Sequence, residues 1–246
     1  MKARPSGAYP TDLPAPTQYA TGIAADPPYP AYGLYAGRDV TAVVLGDPSD
    51  TIYTTMHVGD NNSSGCPPAP GCWTEIGWSL GGASGCVNQT GSYQQVFVYN
   101  APGNAWWCGG TNFLIDPGEQ IWVSIESSGA PGNSWYDYLW WSPYWYLVGQ
   151  TTLATAYSSG PNSPNTNIEA YTNDSGNGPW MTIPQTNTDS VEVETQGIGG
   201  PWKMWDQSIP TGFWEPPESC PYSFTAAAMW YQWYGNGPVG APACPQ

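Results

Sequence analysis

The stretch Asp116-Pro117-Gly118-Glu119-Gln120-Ile121-Trp122-Val123-Ser124-Ile125-Glu126 decides the fold class. Its first four residues are turn formers. From Gln120 onward, Ile121, Val123 and Ile125 alternate with Trp122 and Ser124, the period of two that marks a strand with one buried face. The predicted strand turns its aliphatic residues inward, and Trp122 and Ser124 outward.

The same period recurs on both sides of this stretch. Tyr93, Gln95, Phe97 and Tyr99 fall on one face of a strand, Gln94, Val96 and Val98 on the other, and both faces are bulky enough to imply cover on each side. Further strands are predicted over Val40 to Leu45 and Ile52 to Val58 as an early pair, and over Trp73 to Leu80. Others follow over Tyr136 to Trp141, Trp145 to Leu153, Asn167 to Thr172 and Ser190 to Thr195. Thirty Gly and 27 Pro punctuate the chain, and only Phe224 to Tyr234 suggests a short helix. The expected fold is all-β, an antiparallel curved sandwich of concanavalin-like or jelly-roll type. Its expected organisation is a Pro-rich extended arm over 1–37, a sandwich over 38–200 and a Trp-, Tyr- and Pro-rich extension over 201–246.

Charge narrows the surroundings. The 246 residues hold 19 Asp and Glu against 4 Lys and Arg, a net charge of −15, yet charged residues are only 9% of the chain. An ordinary domain has roughly 25%. Uncharged polar and aromatic groups must therefore cover the surface, and in acid, where carboxylates neutralise, few charges are left to repel one another. The balance excludes nucleic acid and anionic membrane surfaces as expected partners. No apolar run reaches the ~18 residues of a membrane span. The start, Met1-Lys2-Ala3-Arg4-Pro5, lacks the apolar core of a signal peptide.

Cys66, Cys72, Cys86, Cys108, Cys220 and Cys244 make an even set without a C-x-x-C pair, as in a secreted, oxidised protein. Pairing of neighbours is expected: Cys66 with Cys72, Cys86 with Cys108, and Cys220 with Cys244. With one histidine, no structural metal site and no cofactor are expected. Asn61, Asn62, Asn88 and Asn173 begin N-x-S/T sequons. His57 is the only base that a Ser-His or Cys-His mechanism could use, and it reads as an ordinary strand residue. Carboxylates and amides are left to do any chemistry.

Gln89-Thr90-Gly91 precedes the Tyr93 strand, the Ile115 to Glu126 turn and strand comes next, and Asn167-Ile168-Glu169-Ala170-Tyr171-Thr172-Asn173-Asp174 follows. This order resembles the glutamic peptidases, or eqolisins, over roughly residues 70 to 195. Those are acid-acting endopeptidases built as a curved β-sandwich. The resemblance implies Gln89 and Glu169 as catalytic residues, Glu169 as general base and Gln89 as amide donor to the oxyanion. It implies Trp78 as a residue lining the substrate cleft, and a peptide or protein substrate. Departures are specific. The Gly expected after Trp78 is displaced, Ala170 stands where the family carries Trp, and the aromatic extension has no counterpart.

Two other readings remain open. A glycoside hydrolase could use Glu192 with Glu194, or Glu75 with Glu169, and the 15 Trp and 17 Tyr suit stacking on sugars. A non-enzymatic extracellular sandwich could be a carbohydrate-binding module, or an assembly subunit that self-associates through its arm and tail.

Overall fold

Among the described residues, alternating side chains build sixteen strands. They are β1 (Thr17–Ala25), β2 (Ala31–Asp39), β3 (Thr51–Gly59), β4 (Trp73–Gly81), β5 (Gln94–Asn100), β6 (Ala105–Cys108), β7 (Leu114–Ile115) and β8 (Gln120–Ser127). Then come β9 (Ser134–Trp141), β10 (Tyr144–Thr152), β11 (Asn165–Thr172), β12 (Thr186–Thr195), β13 (Trp202–Met204), β14 (Thr211–Trp214), β15 (Ser223–Thr225) and β16 (Met229–Gln232). This computed structural model describes residues 17–25, 30–45, 50–59, 72–81, 86, 93–128, 133–158, 164–172, 186–195, 199–205, 209, 211–214, 223–225 and 229–232.

The strands form two sheets. The first runs β14-β1-β11-β3-β4-β5-β6, with β7 also on β5. The second runs β10-β9-β8-β2-β12-β16-β15, with β13 on β12. Every pairing among the described strands is antiparallel. The result is a β-sandwich.

The core lies between the sheets. Ile52, Met56, Ile76, Trp78, Val96, Val98 and Ile168 of the first sheet meet Leu34, Ile121, Val123, Ile125, Trp135, Leu139, Val191 and Val193 of the second. Inward isoleucine and valine on β8 follow the predicted alternation. Between the edges, Phe113 packs against Trp107, Trp141 and Tyr146 at ring-centroid distances of 5.6, 5.3 and 5.7 Å.

The first sheet has a second buried face. Tyr53, Trp73, Cys86, Phe97, Tyr99 and Ala101 form a separate cluster on the side away from the core, with Trp106 and Cys108 against it. All of β5 except its last residue is buried, as its bulk on both faces predicts. Gly77 on β4 lies tight against the backbone of β3. A Cβ there would lie 1.9 Å from the Thr54 carbonyl oxygen, which excludes any side chain.

Several expectations change. Within the expected arm over 1–37, β1 lies between β11 and β14, and β2 lies in the middle of the second sheet. The glycines and alanines of β2 conceal a strand because close neighbours, not bulk, fill its outward face. Val40 to Leu45 forms no strand of a sheet, and Val44 is 63% exposed. Its apolar run follows β2 and does not pair with β3. Within Phe224 to Tyr234 the described segments are β15 and β16, not helix. The extension beyond 200 adds strands to both sheets.

Candidate active site

Register fixes which side chains share the outward face of the first sheet. Glu169 pairs with Tyr53, Tyr53 with Ser79, and Ser79 with Gln95. The next row is Asn167, Thr55, Gly77, Phe97 and Cys108, and the next is Asn165, His57, Glu75, Tyr99 and Trp106. Directly opposed residues point the same way, so β11 and β3 hold a polar patch beside the aromatic cluster of β5 and β6.

Glu169 is 4% exposed and its Oε1 accepts a bond from Asn167 Nδ2 at 2.9 Å. The orientation of that amide is determined by its other end. Thr55 Oγ1 donates to Asn167 Oδ1 at 2.5 Å, so the nitrogen faces the carboxylate. Behind the strand, Arg38 of β2 reaches across the core. Its Nη2 donates to the Asn167 carbonyl at 3.1 Å and its Nη1 to Thr166 Oγ1. Burial lowers the Arg38 guanidinium to about 9, and neighbouring Asp39 acts in the opposite sense. On the same face Asn165 Nδ2 lies 2.7 Å from His57 Nε2. The amide donates, so that ring nitrogen is an acceptor.

A second acid is buried in the core. Asp137 on β9 is 0% exposed and accepts from Thr74 Oγ1 at 3.1 and 3.0 Å. Burial pushes its carboxyl up to about 8, the Thr74 bond opposes the shift, and Glu75 adds to it. Its proton is held far more tightly than that of an exposed carboxyl.

The sequence-predicted residues separate. Gln89 lies outside the described residues, as do the sequon asparagines Asn61, Asn62, Asn88 and Asn173. Trp78 is 0% exposed on the core face, and its indole Nε1 donates to the Asp39 carbonyl at 2.9 Å. Its strand neighbours are Thr54 and Val96, so it points away from Glu169 and serves the core. Glu75 and Glu169 share a face but sit two strands and four residues apart, roughly 17 Å between Cα atoms. Perpendicular side chains keep about that spacing, beyond the ~5–10 Å of a glycosidase pair. Glu192 and Glu194 lie on the other sheet.

The Cys86–Cys108 pairing is present, with Cα atoms 5.6 Å apart. Cys72 is also disulfide-bonded. The Cys66–Cys72 and Cys220–Cys244 pairings involve Cys66, Cys220 and Cys244, which lie outside the described residues. Among the described residues no group of three or more His, Cys, Asp or Glu gathers as metal ligands, and no helix is long and apolar enough to cross a membrane.

Asn167, Thr55, Arg38 and Asp137 escaped the sequence reading. Asn167 precedes Glu169 by two and so shares its face, a readable signal. Asp137 occupies an inward position between Trp135 and Leu139, another signal. Nothing in the local pattern around Arg38 points to β11.

The fold and face define a β-sandwich with a buried carboxylate–amide pair on its first sheet. The solved structure of scytalido-glutamic peptidase with a transition state analog inhibitor has a similar fold, with TM-score 0.55 and 10% identity over 89% of this chain and 100% of that one. A second structure of that peptidase, with a peptide based transition state analog, gives TM-score 0.53 and 10% identity over 89% and 98%. At this identity the likeness is one of fold. No family profile matches the chain. The 1-butanol dehydrogenase (quinone) of Thauera butanivorans is 24% identical over 144 residues, 55% of this chain. The chain spans 21%, about a fifth, of that relative's length.

Proposed function

We propose that this protein is a secreted, acid-acting endopeptidase of glutamic-peptidase type, with Glu169 as general base and Gln89 as oxyanion donor. The observation that carries the reading is the Glu169 carboxylate, nearly buried on the outward face of the first sheet and held by the Asn167 amide. The sandwich shared with the scytalido-glutamic peptidase structures supports it.

The chemistry uses only this chain's groups. Ionised Glu169 removes a proton from water as its oxygen attacks the peptide carbonyl carbon. The developing oxyanion takes an N–H from the Gln89 amide, which is neutral at any pH and stays a donor in acid. Glu169 then gives its proton to the leaving amine as the C–N bond breaks. Asn167 is a positioning residue: its amide holds Oε1 of the carboxylate. The base must be ionised while its surroundings tolerate acid, so activity belongs at acidic pH. Disulfides and few charges suit an extracellular setting.

The test is hydrolysis of a denatured protein substrate from about pH 2 to pH 7 by wild type, Glu169→Gln and Gln89→Ala. Loss of roughly 10²–10⁴-fold in each variant is expected. Folded wild type without cleavage at any pH, or Glu169→Gln with unchanged cleavage, overturns the proposal.

A further inference from the structure

The outward face of the second sheet carries an aromatic surface that the peptidase reading does not use. Its centre is β2, where Gly33, Tyr35 and Gly37 point outward. A Cβ on Gly33 would lie 2.7 Å from the Trp202 ring, and one on Gly37 would lie 2.9 Å from the Trp122 ring. Both indoles therefore lie down against the strand, in the space that two absent side chains leave on either side of Tyr35.

The aromatic surface continues across the sheet. Tyr35 and Trp122 are near-parallel at 5.5 Å, and Tyr35 meets Trp202 at 6.3 Å and Trp145 at 6.1 Å. Trp122 pairs with Trp140, and Trp140 with Trp145, whose rings are 5.5 Å apart. Trp145 is 44% exposed, and Tyr35, Trp122, Trp140 and Trp202 are half-buried. From β13 to β10 the track crosses six strands, on the order of 24 Å.

Carboxylates border it. Glu194 and Glu126 pair with Gly33 from either side, and Glu192 pairs with Tyr35. Ser124 Oγ bonds Glu126 Oε1 at 2.7 Å. Burial raises the Glu194 carboxyl, bonds from the Gly199 and Gly200 amides oppose the rise, and Glu126 adds to it. Among the described residues this face carries no cation: Lys203 pairs with inward Val193, and Arg38 with inward Ile121. Ring faces beside acceptor oxygens, without positive charge, match a sugar polymer that presents C–H faces and donates hydroxyls. They repel an anionic polymer.

We propose that this face binds a flat, neutral, β-linked polysaccharide along the Trp202–Tyr35–Trp122–Trp140–Trp145 track. The bound chain would hold the protein on a carbohydrate surface, independently of Glu169.

The test is native affinity electrophoresis in gels containing hydroxyethylcellulose or soluble xylan, with the full chain. Wild type and Glu169→Gln are expected to be retarded equally. Trp122→Ala and Trp145→Ala are each expected to weaken binding about ten-fold, and Trp145→Phe to retain most of it. Gly37→Ala, which displaces the Trp122 ring, is expected to weaken binding while Trp145 stays in place. No retardation of folded wild type in either gel overturns the proposal, as does equal retardation of the Trp145→Ala variant. A dimer in light scattering that Trp145→Ala dissociates also overturns it, because the face then serves a second copy.

Discussion

Replacing Asp137 with Asn is expected to flatten the dependence of stability on pH. The wild-type carboxyl is fully buried, and its pKa rises from 3.8 to about 8. In the unfolded chain it ionises near 3.8, so between about pH 4 and pH 8 folding takes up one proton. The native state binds more protons than the unfolded state there, and stability falls as pH rises, by about 1.4 kcal/mol per unit. At pH 7 the accumulated cost is about 4 kcal/mol, and below about pH 4 it vanishes. Arg38 adds no slope in this window, because its shift acts above about pH 9. Asn keeps the shape and an acceptor for Thr74 Oγ1 but has no proton to lose. Any steric penalty of the substitution is the same at both ends of the window. Urea unfolding at about pH 3.5 and pH 7 therefore isolates the effect: relative to wild type, Asp137→Asn gains about 4 kcal/mol more at pH 7 than at pH 3.5. Parallel stability curves for the two proteins would refute the reasoning and mean that Asp137 ionises in the folded protein.

Thr55→Val removes the donor that turns the Asn167 amide toward Glu169. Under the proposed peptidase chemistry it should lower kcat for peptide hydrolysis about ten-fold with KM unchanged, measured at the pH of fastest cleavage. Trp78→Phe loses the bond to the Asp39 carbonyl and part of a core indole. It should cost about 1–3 kcal/mol in urea unfolding and leave hydrolysis per folded molecule intact, whereas a cleft-lining Trp78 would change KM. Cys108→Ser opens a link across 22 residues. It should cost about 3 kcal/mol by the same assay. Gly77→Ala forces a methyl onto the Thr54 carbonyl. It should destabilise by about 3 kcal/mol or more, read as a lower thermal midpoint.

The strands whose faces differ were legible. Ile121, Val123 and Ile125 had to be buried together, and Val191 and Val193 likewise, so β8 and β12 followed from period alone. β2 was not legible, because Gly33 and Gly37 interrupt its outward face and Ala36 and Arg38 blur the inward one, so no clean apolar alternation shows. Gly33 and Gly37 are glycines owing to Trp202 and Trp122, which are distant in sequence. Trp78 shows the opposite error. A large aromatic beside a resemblance motif looked like a cleft wall, yet its parity with Ile76 and Leu80 already assigned it to the core.

The position of Glu169 follows from the same parity argument. Ile168 is buried in the core at 0% exposure, so Glu169 must face the other way. On most sandwich strands the other way is solvent, and a carboxylate there is an ordinary surface group. The first sheet differs because β5 places Phe97 and Tyr99 on that side while Val96 and Val98 fill the core. A sheet with bulk on both faces is covered on both faces, and polar residues on the second one are desolvated. Glu169, Asn167, Thr55 and His57 lie where that aromatic cover gives way to hydrogen-bonding groups. A carboxylate in that position is retained only with partners, and Asn167 is one of them. The double-sided bulk of β5 was therefore the sequence feature that made Glu169 more than a surface acid, and the partner amide came from the residue two positions before it.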